Sequence, residues 1–195
     1  KRDARALHDR FQKIARCKAQ LLEDPRDPKS LARGIRDFLK KEGLQKSPPE
    51  HVLIIYSGHG MQQGGNVYLL PGNAEPDHDS CNPEAEFVPV RDIFKYCRED
   101  LDLPARDNVL KEVKFVIIVD ACRVAEMNSA SLFSSLEPLP DNAPKKWAMC
   151  FSCSKGSSAS DGPAGAHSPF AKELLDDSSG IFAENVPLKQ ALEEA

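Results

Sequence analysis

Apolar residues along this chain recur in two patterns, and their alternation predicts a mixed α/β fold. In several stretches they return every three or four positions, which is the spacing of a buried helix face. These predicted helices lie at residues 4–14, 30–42, 89–97 and 170–175. Shorter apolar runs predict strands at residues 17–22, 52–56, 116–119 and 147–151. Alternating helices and strands are typical of crossover units around a parallel sheet.

Three reactive side chains follow the strand predicted at residues 116–119. That run consists of four β-branched residues, the pattern of a strand that is buried on both faces. Directly after it stand Asp120, Cys122 and Arg123. Reactive groups collect outside the carboxyl ends of strands in open α/β sheets, so this cluster is a candidate site. Taken alone, an inert and half-buried thiol is the simpler interpretation of Cys122.

Length and composition describe an ordinary globular domain. The 195 residues, 41% hydrophobic and 29% charged, fit one domain with a substantial core. A net charge of −4 with scattered basic residues forms no stripe for nucleic acid. No apolar run approaches the ~20 residues that cross a bilayer. We therefore expect no nucleic-acid and no membrane partner, and a cytoplasmic location in which the six cysteines stay reduced.

Metal and cofactor chemistry have little support in the sequence. Cys150 and Cys153 form a C-x-x-C pair, but no second pair or neighbouring histidine completes a zinc site. A flavodoxin-like domain with redox chemistry at this pair is a weaker alternative, since the chain has no phosphate-binding glycine loop. The acid-rich residues 73–86 lack the pattern of a calcium-binding loop. We predict no metal and no cofactor, and calcium activation stays open but unsupported.

A histidine follows the strand predicted at residues 52–56, within the motif Tyr-Ser-Gly-His-Gly at 56–60. If this strand and the one before Cys122 are parallel neighbours, His59 and Cys122 emerge at the same edge of the sheet. Only a thiolate attacks, and an adjacent imidazole can take the thiol proton and later protonate a leaving amine. The amides of Gly60 and Cys122 can then hold the oxyanion of a tetrahedral intermediate.

The two motifs together resemble those of the caspase-like cysteine peptidases. Tyr-Ser-Gly-His-Gly and Asp-Ala-Cys-Arg each follow an apolar strand, 63 positions apart from His to Cys. Residues 65–71 resemble the family's strand after the histidine loop, and residues 168–175 resemble its penultimate helix. The resemblance covers most of the chain. It implies a three-layer α/β/α sandwich with a mostly parallel central sheet, here lacking the family's first strand.

The resemblance implies a cysteine endopeptidase with His59 and Cys122 as its dyad. Caspases that cut after Asp carry Gln two residues before the cysteine, whereas this chain has Asp120, as metacaspases and paracaspases do. A carboxylate there attracts a basic P1 side chain and repels an acidic one. Asp161 falls where those relatives place a second pocket carboxylate, and a plain loop acid is the alternative. We therefore expect cleavage after Arg or Lys.

The same resemblance implies one peptidase domain over residues 1–195. A large-subunit-like part ends at about residue 123, a linker covers residues 124–146, and a small-subunit-like part covers residues 147–195. So long a linker suggests a processing site, with Lys145 and Lys146 as cut points that match the expected specificity. Polypeptide substrates are the expected partners, and either a monomer or a homodimer fits the family. The alternative from another class is a non-proteolytic caspase-like scaffold.

Overall fold

The computed structural model describes residues 2–15, 17–25, 27–41, 49–63, 66–72, 87–93, 113–121, 146–153, 158–160, 162–183, 186–187 and 190–191. The helices whose bounds lie within these residues are α1 (Arg2–Gln12), α2 (Pro28–Lys41) and α3 (Pro169–Leu175). Residues 90–93, within the helix predicted at 89–97, and residues 190–191 are also helical. The strands are β1 (His51–Ser57), β2 (Gly60–Gln63), β3 (Asn66–Leu69), β4 (Val88–Pro89), β5 (Lys114–Asp120) and β6 (Lys146–Phe151).

A parallel sheet with the order β1-β5-β6 forms the middle layer. Alternate side chains of β5 enter two different cores. Phe115, Ile117 and Val119 pack in a cluster with residues of α2. Val116 and Ile118 pack on the other face with residues of α1 and α3. Because helices cover both faces, the predicted α/β/α sandwich and the central strand buried on both faces are confirmed. Burial of each fully buried apolar side chain stabilises the folded state by ~1.5–3 kcal/mol.

A small antiparallel sheet with the order β2-β3-β4 packs beside the main core. Val67, Leu69 and Val88 face the cluster that contains α2, while the opposite face buries Tyr68 and Phe87. The four glycines of residues 57–66 and their lack of an apolar run predict a loop throughout, and this prediction is wrong for β2. Hydrogen bonds to β3 make residues 60–63 a strand, although their sequence has no apolar alternation.

Two other predictions from the sequence are wrong, one for residues 17–22 and one for Ile14. Residues 17–22 were expected to form a strand but have no regular secondary structure. Instead of joining a sheet, Leu22 packs on α2, where its side chain comes within 2.6 Å of the position that a Cβ on Gly34 would occupy. Ile14 was expected on a buried helix face, but it lies beyond the end of α1 and is exposed.

Candidate active site

The strands β1 and β5 end at the same level. Their parallel ladder runs from His51 opposite Lys114 to Ser57 opposite Asp120. Just past the ladder, the Gly58 N–H donates a hydrogen bond to the Asp120 carbonyl oxygen, with an N···O distance of 3.1 Å. The carboxyl ends of the two strands therefore meet, as expected at the site edge of an α/β sheet.

His59 lies in the short connection between β1 and β2, and it is exposed to solvent. Its backbone carbonyl oxygen accepts hydrogen bonds from the Leu70 N–H at 3.0 Å and from the Tyr56 hydroxyl at 2.7 Å. The backbone of His59 is thus held on the core side although the residue is open to solvent. Of the predicted dyad, Cys122 lies outside the described residues, two positions after Asp120.

Gly60 opens β2 and stands opposite Leu69 in the ladder with β3. Hydrogen-bonded and non-hydrogen-bonded pairs alternate along an antiparallel ladder. Since the neighbouring His59 carbonyl accepts from Leu70, the pair of Gly60 and Leu69 is a non-hydrogen-bonded one. The Gly60 N–H therefore points away from β3, and the ladder leaves it available as a donor.

Asp120 ends β5, and its side chain is buried, with only 9% of the residue exposed. The Asp120 Oδ2 atom accepts a hydrogen bond from the Ser168 hydroxyl at 2.7 Å. Ser168 is also the N-cap of α3, as a serine directly before a proline predicts, and its oxygen accepts from the Ala171 N–H at 3.0 Å. One hydroxyl thus serves both the helix and the carboxylate. Sequence reasoning recognised the cap but missed its bond to Asp120.

The first turn of α1 holds the segment that leads to Ser168. The Asp3 carboxylate lies 2.5 Å from the His167 Nδ1 atom and accepts a longer bond, 3.4 Å, from the Ser168 N–H. The Arg2 guanidinium donates to the Ala166 carbonyl oxygen at 2.9 Å. Neither contact was predicted, because 164 positions separate the partners and no local pattern marks them.

The end of β6 extends the same edge beside β5. The Ser152 N–H donates to the Val119 carbonyl oxygen at 3.0 Å, and the Cys153 thiol donates to the Ala121 carbonyl oxygen at 3.3 Å. Cys150 instead packs with the core under α1 and α3, and burial raises the pKa of its thiol. The two thiols of the C-x-x-C motif form no disulfide with each other, and they lie in different surroundings.

Other predicted site residues are distributed as follows. Lys146 is exposed and begins β6, while Lys145 and Asp161 lie outside the described residues, as do the acids of residues 73–86. Within the described ranges, no three His, Cys, Asp or Glu side chains gather into a group that could hold a metal ion. None of the helices in this part of the chain is long and apolar enough to cross a membrane.

Comparison with protein families agrees with this architecture. The model of the caspase domain family matches residues 1–186. Because the match spans nearly the whole chain, this chain belongs to the caspase domain family, whose members form a class of cysteine peptidases. A search of curated proteins found no significant match to the sequence.

Proposed function

We propose that this chain is a cysteine endopeptidase that cleaves after Arg or Lys, with Cys122 as nucleophile and His59 as general acid and base. The register of β1 and β5 supports this proposal, because the ladder ends at Ser57 opposite Asp120. His59 lies two positions after Ser57, and Cys122 lies two positions after Asp120. The family of the chain supports the same assignment of the two motif residues.

The proposed reaction needs only side chains and amides of this chain. His59 takes the proton of the Cys122 thiol as the sulfur attacks the scissile carbonyl carbon. The amides of Gly60 and Cys122 stabilise the oxyanion that forms. When the C–N bond breaks, His59 gives the proton to the leaving amine. Water, deprotonated by His59, then hydrolyses the thioester, which releases the carboxylic product and restores the thiol.

Asp120 is the proposed selector of the basic P1 side chain, with Asp161 as a second candidate. Support for Asp120 comes from its burial at the end of β5 and from the Ser168 hydroxyl that orients it. A carboxylate shielded from water attracts a guanidinium or ammonium group more strongly than an exposed one does. The same carboxylate repels an acidic P1 side chain, which excludes the specificity of Asp-cleaving caspases.

Fluorogenic peptides that differ only in P1 test the proposal on the full-length protein. We expect cleavage after Arg and Lys and none after Asp. Cys122→Ala and His59→Ala should each abolish turnover. Cys17→Ala, which removes a thiol outside both motifs, should not. Cleavage after Asp alone would refute the specificity, and full activity in Cys122→Ala would refute the mechanism. A folded protein that neither cleaves nor reacts at Cys122 with an Arg-based covalent probe would support the scaffold alternative.

Processing within the linker follows from the same specificity. Lys145 and Lys146 match the proposed P1 preference, and Lys146 is exposed at the start of β6. Intact-mass spectrometry of active protein should reveal a break after one of these lysines, which the Cys122→Ala protein should not show. A chain that stays intact at full activity would contradict processing at this point.

A further inference from the structure

Tyr56 in β1 connects the main core to the histidine loop, which we define as residues 58–59 between β1 and β2. Its ring packs against the cluster formed by the central sheet, α2 and the small sheet. Its hydroxyl lies 2.7 Å from the carbonyl oxygen of His59 and 2.7 Å from that of Leu70. Burial raises the pKa of the Tyr56 phenol, so it keeps its proton, which the two carbonyl oxygens share.

Because Gly58 has no side chain, the Tyr56 hydroxyl has room to reach the backbone of the histidine loop. A Cβ on Gly58 would stand 2.7 Å from the Tyr56 hydroxyl oxygen, closer than real contacts allow. The same residue donates its N–H to the Asp120 carbonyl oxygen. The histidine loop is thus tied to β5 at Gly58 and to the core at the carbonyl of His59.

The carbonyl of His59 and the N–H of Gly60 belong to one planar peptide unit. In a trans peptide these two bonds point in opposite directions, and no cis peptide occurs among the described residues. The Tyr56 hydroxyl and the Leu70 N–H, which both donate to the His59 carbonyl, therefore also fix the direction of the Gly60 N–H. That N–H points away from β3, as the alternation of the ladder requires.

We propose that Tyr56 is a positioning residue that aims the Gly60 amide at the oxyanion of the tetrahedral intermediate. This inference rests on the proposed function for the identity of the anion, and on the contacts of Tyr56 for the orientation of the amide. An oxyanion contact exists only in the transition state and the intermediate. Its loss therefore lowers kcat and leaves KM nearly unchanged.

Tyr56→Phe tests the proposal, because it removes the hydroxyl and keeps the ring. We expect kcat to fall about tenfold or more, since misaligned donors lose most of their effect, with KM within about twofold. Alkylation of Cys122 by iodoacetamide forms no oxyanion, so its rate should stay within about twofold. The matched control is Tyr68→Phe, which removes a phenol from the cluster on the other face of the small sheet and should leave kcat unchanged.

Two kinetic results would overturn the proposal. One is an unchanged kcat in Tyr56→Phe. The other is a loss of iodoacetamide reactivity in parallel with kcat, because Tyr56 would then act through the thiol and imidazole and not through the Gly60 amide.

Hydrogen exchange at the Leu70 amide tests the orientation without any activity. In the Cys122→Ala protein, the added change Tyr56→Phe should accelerate exchange at Leu70 severalfold, because the His59 carbonyl loses one of its two donors. Unchanged exchange would overturn the role of Tyr56. If Tyr56→Phe accelerates exchange but the protein with Cys122 intact cleaves no peptide, the proposed function is refuted and the orientation of the loop by Tyr56 is still supported.

Discussion

The Ser168 hydroxyl donates a hydrogen bond to a carboxylate oxygen of Asp120 across 48 positions of the chain, at 2.7 Å. Asp120 lies on the face of β5 that also carries Val116 and Ile118, which pack against α3. The N-terminus of α3 therefore meets the end of β5. This contact couples the first turn of α3 to the residue proposed to select P1.

Ser168→Ala should destabilise the fold and loosen P1 selection. Loss of an N-cap costs ~1 kcal/mol, and loss of a hydrogen bond to a charged group costs ~1.5–3 kcal/mol. We expect the free energy of unfolding, measured in urea, to fall by about 2–4 kcal/mol. Ser168→Thr keeps the hydroxyl and should retain most of the stability. An unchanged unfolding midpoint in Ser168→Ala would show that the two bonds do not contribute.

Asp120→Asn should remove selection for basic P1 residues. The amide keeps the shape of the carboxylate but loses the charge that pairs with a guanidinium. A buried charge pair that loses one partner costs 2 kcal/mol or more, so kcat/KM for an Arg peptide should fall by about 30-fold or more. Asp37→Asn, at an exposed position of α2, is the matched control. An Arg peptide cleaved as well by Asp120→Asn as by the wild type would remove Asp120 from the pocket.

Cys153→Ala should weaken catalysis without removing either dyad residue. The Cys153 thiol donates to the carbonyl of Ala121, and the peptide bond of that carbonyl joins Ala121 to Cys122. Because a thiol is a weak donor, we expect the loss in kcat/KM to be about twofold, the lower end of the range for a single hydrogen bond. Cys153→Ser can still donate and should restore part of the activity, and Cys17→Ala should have no effect. Equal activities of the Ala and Ser variants would contradict this role.

Asp176 should stabilise the end of α3 only above acidic pH. Hydrogen bonds from the Ser178 hydroxyl, and then from the backbone N–H groups of Ser178 and Ser179, lower the pKa of the Asp176 carboxyl to about 2. The unfolded chain therefore binds a proton first as the pH falls. The stabilisation is complete above the ordinary carboxyl pKa and is lost as pH falls toward about 2.

Melting temperatures measured by circular dichroism test this pH dependence. Asp176→Ala should melt below the wild type at about pH 6, and the difference should shrink as the pH is lowered from about 4 toward 2. Asp37→Ala provides a control for removal of an exposed carboxylate. A difference between wild type and Asp176→Ala that is constant over this range would show that the charge of Asp176 does not matter.

Local sequence patterns predicted the elements whose hydrophobic period is strong. The β-branched residues 116–119 specify a strand buried on both faces, and Ser168 before Pro169 specifies the start of α3. The pattern failed at β2, where Met61 is the one apolar residue among two glutamines and a glycine, and residues 60–63 become a strand by pairing with β3. It also failed at residues 17–22, which have strand-like composition and no regular structure in the fold.

The sequence by itself determined the fold class, the family and the two motifs around His59 and Cys122, because periodicity and short motifs are properties of neighbouring residues. Only the tertiary structure decided that the Tyr56 hydroxyl orients the His59 carbonyl, that Ser168 holds Asp120, and that Cys153 meets Ala121. The last two contacts join residues 48 and 32 positions apart. Such contacts depend on strand register and on how helices dock, which local patterns do not encode.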